Sequence, residues 1–432
     1  GLGYGARLSG PITQLIPAQY RDFFGEETTL TATGVVKDEG GMRLDDLSLQ
    51  SAALSLDASA ETGSDSFLRR LNVVASVDDG TNERIVLPVP GGETTLNRAN
   101  LTLSYGESAD DTWSGDITIE NLTTAEFSAE RARFDLGGLA RNLDTANARN
   151  ITFAIDGLLS GIVAKRADIA EALGEQITLD VDGSWQAGAP ITLQNAVIAS
   201  NGLSVALDGE IAEFAFNGDI AVKAQSVAPF SSMAGRDLSG SLDLSANGKV
   251  EPLTGAFALT LDSVAQDLRV GIDAADNLLG GRTTITGRVE RGENGLVTDD
   301  LRIGNERIEL TADGRFASGA ADFDYALNLS DLALVTPQAE GRLEASGRAE
   351  GTDGIINLTT LARVTNGRLV GKQLTDARLT FDGNLQGGNL DGTVGGDAFL
   401  DGVRVQLSAG VGVSDQGQRL TDLDFSAGGA RA

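Results

Sequence analysis

Cysteine and histidine are both missing from the sequence. Without cysteine, disulfides, thiol nucleophiles and cysteine-based metal sites are excluded together, and the chain is compatible with an oxidising compartment such as the bacterial periplasm. Without histidine, most pairings of a nucleophile with a base are excluded too. We therefore expect no enzymatic activity, no cofactor and no bound metal.

Basic residues are scarce, since 33 Lys and Arg stand against 62 Asp and Glu and give a formal net charge of −29. Phosphate recognition needs clustered Lys and Arg, so nucleic acid is excluded as a partner. The same charge disfavours direct adsorption to anionic lipid headgroups. The sequence shows neither a signal peptide nor a run of eighteen apolar residues. Because it starts at Gly1 within a strand pattern, we expect an internal fragment whose targeting segment is missing.

Aromatic residues make up only 5% of the chain and prolines number 8, whereas glycines number 55. Large side chains dominate close-packed cores, so a composition rich in turn formers and poor in aromatics argues against several compact domains. No Ser/Pro-rich linker or charge block marks a boundary. The sequence therefore predicts one continuous elongated structure over residues 1–432, without independent domains.

Alternation of apolar and polar residues is the main pattern, and it is clearest from Gly280 to Phe316. Such alternation predicts strands with one buried face, and small polar residues beside glycine predict tight turns, one of them at Glu293-Asn294-Gly295. The layout recurs in degenerate repeat units, roughly at 17–60, 166–211, 228–262 and 272–316. Long crossover helices are missing, so most strands should pair antiparallel with their sequence neighbours.

Short helices ending in glycine are predicted before three of these units, at PAQYRDFFG, RADIAEALG and IDAADNLLGG, because glycine adopts the left-handed C′ conformation cheaply. Before the first unit, a stripe at helical spacing extends from Pro11 to Phe24. Its apolar members are Ile12, Leu15, Ile16, Tyr20, Phe23 and Phe24. We interpret the stripe as a helix that caps the sheet, since the neighbouring acids oppose a membrane-surface role. Pro88 and Pro90 predict a sheet edge or a loop.

Together these patterns predict an all-β fold. We expect an elongated, twisted, mostly antiparallel sheet that curls into an open groove, with a few short capping helices. An acyl chain exposes many methylenes, each worth roughly 0.8 kcal/mol when buried, so a groove for lipid must be apolar without gaps. The residues expected to line it are Leu203, Val205, Leu207, Leu301, Ile303, Ile308 and Leu310. Arg302 and Glu309 should face solvent.

Three features could indicate other chemistry. The acid pairs Asp45-Asp46 and Asp299-Asp300 could be the carboxylates of a sugar-cleaving site, but they occupy equivalent places in two repeat units, which favours solvated rim positions. The stretch 387–402 superficially resembles calcium-binding nonapeptide repeats, but its acids fall out of register. Trp113 and Trp185 are interpreted as packed rim aromatics rather than as sugar platforms.

The region from Val227 to Phe316 resembles the middle of the TamB family, within the wider AsmA-like group. The resemblance is carried by VAPFSSMAGRDLSGSLDLSANGKVEPLTGAFALTLDS and DNLLGGRTTITGRVERGENGLVTDDLRIGNERIELTADG, and Ala167 to Trp185 is similar to a further recurrent phrase of that family. The general pattern of the repeats is similar over nearly the whole chain, and the wording of the sequence itself is similar over about a third of it. No catalytic motif defines the family.

The resemblance implies a β-taco with an apolar lumen in the periplasm of a Gram-negative bacterium, as part of the translocation and assembly module. It implies an N-terminal inner-membrane helix, an outer-membrane barrel partner, and cargo of lipid acyl chains or unfolded outer-membrane protein strands. The implied roles are outer-membrane protein assembly and phospholipid transport between membranes. Two alternatives remain: a structural or adhesive β-repeat surface protein with a packed core, and an enzyme carried on a β-helix.

Overall fold

The structure is a computed structural model that describes residues 1–14, 16–90, 92–106, 110–293, 295–414 and 417–431, without the side chains of residues 168 and 431. The chain is all-β, with 68% of residues in strands and 7% in helices. Contacts divide it into two compact units, Gly1–Glu213 (unit 1) and Phe214–Ala432 (unit 2), and each is described by itself.

Unit 1 holds fifteen strands and two α-helices within its described residues. They are β1 (Leu2–Gly10), α1 (Arg21–Phe24), β2 (Thr28–Val36), β3 (Met42–Gln50), β4 (Leu54–Thr62), β5 (Leu68–Val77), β6 (Ile85–Val86), β7 (Thr95–Leu96), β8 (Arg98–Tyr105), β9 (Thr112–Thr123), β10 (Phe127–Arg141), β11 (Asn150–Ser160), β12 (Val163–Ala164), α2 (Ala167–Leu173), β13 (Gln176–Gln186), β14 (Ile191–Ser200) and β15 (Leu203–Ala212). A 3-10 turn, Ala18–Tyr20, precedes α1.

Unit 2 continues the pattern with two further α-helices and longer strands. They are β16 (Ala215–Ala224), α3 (Ser231–Ala234), β17 (Ser239–Glu251), β18 (Ala256–Arg269), α4 (Asp273–Leu279), β19 (Arg282–Gly292), β20 (Gly295–Gly304), β21 (Ile308–Ala317), β22 (Ala320–Leu329), β23 (Ala339–Gly341), β24 (Leu343–Thr352), β25 (Ile355–Leu369), β26 (Lys372–Gln386), β27 (Asn389–Leu400), β28 (Val403–Ser414), β29 (Gly417–Ala427) and β30 (Ala430–Arg431). The 3-10 turns are Ala228–Phe230 and Leu332–Leu334.

The strands pair antiparallel, mostly with their sequence neighbours, which confirms the predicted pairing. Short strands are bypassed, so β5 pairs with β8, β11 with β13, and β22 with β24. The sheet is not closed into a barrel. Short connections can join these antiparallel strands because many turns contain glycine, Asp or Asn with positive φ, which tight hairpin turns require.

The predicted short helices are confirmed at α1, α2 and α4. Gly25 and Gly174 follow α1 and α2 with φ of 68° and 66° but with ψ of −170° and −171°, which corrects the predicted left-handed conformation to another one that favours glycine. After α4, Gly280 is extended and Gly281 has the positive φ. Each of these helices is followed by three strands, so 17–60, 166–211 and 272–316 share one layout, while the unit at 228–262 has α3 and two longer strands.

The apolar stripe from Pro11 to Phe24 is helical only in its second half, which corrects the longer helix predicted from it. The helical turns begin at Ala18, because Pro17 is held extended at φ −52° and ψ 145° as the N-terminal cap. A proline also disfavours helical backbone at the residue before it, here Ile16. Leu15 lies outside the described residues, as does Asn294 of the predicted turn.

The acid pairs lie inside strands, not on a rim ahead of them. Asp45-Asp46 and Asp299-Asp300 are β-bulges in β3 and β20, where the register shifts between Leu44 and Leu47 and between Thr298 and Leu301. β14 has a bulge at the equivalent place, between Leu193 and Ala196. All four acids are exposed, as expected. A bulge bends its strand and increases the twist, so the same bend recurs in three repeat units.

Two clusters of buried side chains lie near strand ends. In unit 1 the buried side chains of Phe23, Ala53, Ile85 and Leu96 form one cluster, which joins α1 to the small β6 and β7 pair. Pro88 and Pro90 lie in the loop between those two strands, so the predicted edge or loop is confirmed. In unit 2 the corresponding cluster is Val364, Leu374, Ala377 and Ala398. We call the strand ends that carry the helices the helix edge, and the opposite ends the hairpin edge.

Candidate functional site: the apolar face of the sheet

A row of directly paired residues crosses unit 2, one from each long strand. Paired residues of antiparallel strands project from the same face, so the row defines a surface. Its members are Val222, Leu244, Ser263, Ile285, Ile303, Leu310, Leu327, Ala345, Ala362, Leu379, Gly396, Leu407 and Phe425. None is charged, and only Ser263 carries a polar side chain.

Unit 1 has a row of the same kind. Its members are Leu8, Leu30, Leu49, Leu56, Ala75, Leu101, Ile117, Phe134, Gly157, Leu179, Ile198 and Val205. No polar side chain interrupts this row. Alternation along every strand thus becomes, through the register, a continuous apolar face in each unit.

The opposite face carries the charges. In unit 2 the Arg348 guanidinium bonds Asp322, Asp324 and Glu350 on this face, all within 3.0 Å. In unit 1 Asp116 and Asp135 are directly paired across β9 and β10, and Arg133 lies beside both. The hydrogen bond from Arg133 lowers the pKa of Asp135. The large negative charge of the chain is therefore kept off the apolar face, at least along these rows.

The residues predicted to line a groove are all half-buried, and Arg302 and Glu309 are exposed. The structure pairs Ile303 with Leu310 directly, and Leu301 with Ala312 on the same face. Leu203, Val205 and Leu207 occupy the corresponding face of unit 1. In a packed sandwich, each sheet has one face whose side chains are fully buried. The side chains predicted to line a groove are instead partly exposed.

Aromatic rings on this face lie over mid-strand glycines, a feature that the sequence analysis missed. Phe153 is paired with Gly183, and Tyr325 with Gly347. A Cβ on either glycine would come within 2.4 Å of ring or hydroxyl atoms of that partner. The Tyr325 hydroxyl also hydrogen-bonds Thr360 at 2.6 Å, two strands away. The sequence signal that could have predicted this feature is a glycine inside a strand, paired with an aromatic residue on the neighbouring strand.

The hairpin edge of unit 2 leaves apolar residues exposed. Leu253 is 80% exposed in the turn between β17 and β18, Phe316 is 50% exposed at the end of β21, and Ile355 is 43% exposed at the start of β25. The helix edge of unit 2 has the buried Val364 and Leu374, but there too Val370 is 74% exposed and Val403 is 45% exposed. Apolar side chains are therefore exposed at both edges of unit 2.

The hairpin edge of unit 1 is occupied by an aromatic and charged cluster. Trp185 stacks on Phe67 with ring centroids 6.0 Å apart, and the Arg149 guanidinium lies 3.9 Å from the Phe67 centroid. Arg149 also bonds Asp65, and that bond lowers the pKa of the carboxyl group. At the same edge, the Trp113 indole donates to the Thr152 carbonyl oxygen. Both tryptophans are thus packed rim aromatics, as expected.

The acids of the stretch 387–402 do not converge. Asp391 in β27 pairs with Arg419 at 3.0 Å, Asp397 lies six residues along the same strand, and Asp401 follows it in a turn. The backbone N–H of Gln373, and then Lys372, lower the pKa of Asp401. Across the part of the chain that the structure describes, no three acids are grouped as a metal site.

The fold and this face define a class of protein: open antiparallel sheets with one apolar and one charged face. No known protein family, curated protein or solved structure matches the chain. None of the helices in the described ranges has the length and apolar character needed to cross a membrane.

Proposed function

We propose that the apolar faces of the two units bind lipid acyl chains and support phospholipid transfer. One observation carries the proposal: the uncharged rows that run through every long strand, most of whose members are half-buried or exposed. A sixteen-carbon chain costs on the order of 12 kcal/mol to expose to water, at about 0.8 kcal/mol per methylene. Only an apolar surface without gaps offsets that cost along the whole path.

Lipid is favoured over unfolded protein strands as the ligand because the backbone hydrogen-bonding groups of the sheet already have partners. An extended polypeptide brings an N–H and a C=O at every residue, and each needs a partner when water is removed. Along the rows, the backbone of strands such as β21 and β22 is already paired on both sides. The side chains of the rows offer few polar atoms that could bond the N–H and C=O groups of an incoming polypeptide. An acyl chain needs no hydrogen bonds, so this surface suits it better.

The resemblance to the TamB family supports the same proposal and extends it. On this proposal, the chain belongs to a translocation and assembly module in the periplasm, anchored to the inner membrane through a segment outside residues 1–432. An outer-membrane barrel is the proposed partner, and outer-membrane protein assembly is the accompanying role. The rival, a structural or adhesive repeat protein, would require the apolar face to be packed to interior density.

The test uses a matched pair on neighbouring positions of β20. Ile303→Asp places a charge on the apolar face beside Ile285 and Leu310, whereas Arg302→Asp changes the exposed opposite face. An unpaired charge in the path of an acyl chain costs several kcal/mol. Mass spectrometry of co-purified lipid should show a clear loss for Ile303→Asp and little change for Arg302→Asp.

Folding is the control for that test. Because Ile303 is only half-buried, its replacement should cost the fold about 1 kcal/mol and leave a cooperative melting transition. Unfolding of Ile303→Asp, or equal lipid capture by both variants, would instead support the packed structural rival. Absence of lipid from the unsubstituted chain, after exposure to phospholipid vesicles, would contradict the proposed function itself.

A further inference from the structure

Two loops meet across the hairpin edge of unit 1. The first, 63–67, joins β4 to β5, and the second, 142–149, joins β10 to β11. Asp65 of the first loop forms an ion pair with Arg149 of the second, and Arg69, at the start of β5, forms another with Asp144, with Nη1 and Oδ1 2.7 Å apart. Phe67 adds its stack on Trp185 of β13. We call this set of residues the clasp.

The clasp reaches across the apolar face rather than along one strand pair. Between β5 and β13 lie β8, β9, β10 and β11, so those two strands would stand about 24 Å apart on a flat sheet. Yet Phe67, directly before β5, stacks on Trp185 at the end of β13. The sheet of unit 1 must therefore curl here, and the clasp joins the two sides of the curl.

The apolar face lies on the same side as the clasp. Tyr105 and Trp113, at the hairpin-edge ends of the intervening β8 and β9, alternate in phase with the apolar row through Leu101 and Ile117. Burial raises the pKa of Tyr105, against the opposing effect of nearby Arg149. The other edge is covered by the cluster of Phe23, Ala53, Ile85 and Leu96. The clasp thus closes the apolar face of unit 1 at its hairpin edge, opposite that cluster.

The clasp is held by contacts that can separate without unfolding the sheet. Arg149 is only 7% exposed, but the side chains of Asp65 and Asp144 are 37% and 80% exposed. The Arg69–Asp144 pair is weak because Asp144 is largely exposed, and Asp65, Asp144 and Arg149 lie in loops outside the strand ladders, whereas Arg69 belongs to β5. The sheet beneath is held by continuous backbone pairing from β5 to β13.

We propose that the clasp is a gate that decides which lipids reach the apolar face of unit 1. An acyl chain fits beneath it, whereas the headgroup of a phospholipid crosses the hairpin edge only when the Asp65–Arg149 and Arg69–Asp144 pairs separate. A fatty acid, whose headgroup is one carboxylate, meets little obstruction. This inference rests on the proposed function and adds a determinant of lipid selectivity to it.

The test locks and unlocks the clasp in one protein. The chain contains no cysteine, so Asp65→Cys with Arg149→Cys introduces the only two thiols. A short bismaleimide linker with a cleavable centre then joins them in the full chain. Phosphatidylcholine vesicles carrying phosphatidylcholine with a diazirine on its acyl chain supply the probe. After a timed exposure and irradiation, peptide mass spectrometry measures labelling of residues 1–213 and 214–432 separately.

The linked protein should label unit 1 about fivefold more slowly than the same protein after cleavage of the linker. Labelling of unit 2 should be the same in both states, and a diazirine fatty acid should label unit 1 equally in both. Equal phospholipid labelling of unit 1, linked and cleaved, would overturn the gate while unit 2 labelling still upheld the proposed function. No labelling of either unit would overturn both. Asp144→Asn, which weakens one ion pair and leaves Arg149 in place, should accelerate unit 1 labelling; an unchanged rate would also count against the gate.

Discussion

Glycines in the middle of strands shape the apolar face at the scale of single residues. Phe153 lies over Gly183 and Tyr325 over Gly347, in the space that a Cβ would need. Each ring therefore rests against the sheet, where it covers backbone, instead of projecting from it. Aromatic residues are few in this chain, and at these positions they add apolar surface without filling the space above the face.

Gly183→Ala should destabilise unit 1 by about 1–3 kcal/mol, because the new Cβ would lie 2.1 Å from the Phe153 Cζ atom and force the ring away. Urea unfolding measures the change. Gly137→Ala is the control, since its Cβ would meet only the Trp113 carbonyl oxygen at 3.6 Å, an ordinary contact. The cost should fall when Phe153 is first changed to Leu. An equal cost in that background would show that the ring is not the cause.

At the scale of strands, β-bulges determine where the strands of the repeat units bend. The second strand of three repeat units has two residues opposite one, at Asp45-Asp46, Gln194-Asn195 and Asp299-Asp300. Asp300 has φ of 50°, a left-handed conformation that Asp tolerates better than most residues. Its backbone N–H donates to Asp313 on the next strand. The acids thus serve the bend of the strand.

Asp300→Val should cost about 1–2 kcal/mol, because a β-branched residue is strained in the left-handed region, whereas Asp300→Gly should cost much less. Asp299→Val is the matched control, since Asp299 is also exposed and is not among the residues with positive φ. Chemical denaturation of all three variants measures the difference. Equal losses for the two valine variants would mean that charge, and not backbone conformation, explains the acids.

At the scale of the whole molecule, the chain has two kinds of apolar burial. Leu96 is 2% exposed and packs among Phe23, Ala53 and Ile85, as in an ordinary core. Most residues of the long rows are half-buried or exposed, although the rows contain many more apolar side chains. Stability should therefore depend on the small clusters and the backbone ladders, which leaves the rows free for a ligand.

Leu96→Ala should cost about 3–4 kcal/mol, the usual result of a cavity in a closed core. Leu310→Ala should cost about 1–2 kcal/mol, because neighbours of Leu310 on the open face surround it only in part. Denaturant unfolding compares the two, and bound phospholipid should fall only for Leu310→Ala. Similar losses of stability would indicate that the apolar face is a packed core.

The sequence by itself determined what depends on near neighbours. Alternation along each strand, glycine after each short helix, and Pro88 with Pro90 predicted the all-β class, the antiparallel hairpins, three helices and one loop. The same alternation selected Ile303 and Leu310 as residues of the apolar face and Arg302 as exposed. The resemblance to the TamB family, the single elongated body and the lipid cargo stay predictions.

Only the tertiary structure decided what depends on pairing between distant residues. Register turned separate alternating strands into continuous rows, and it placed the acid pairs at bulges inside strands. Pro17 ended a helical stripe that spacing alone extended back to Pro11. The clasp joins Asp65 to Arg149, 84 residues apart, across the three intervening strands β8, β9 and β10. Local periodicity carries no record of such contacts, because the curl that creates them accumulates from the twist and bulges of many strands together.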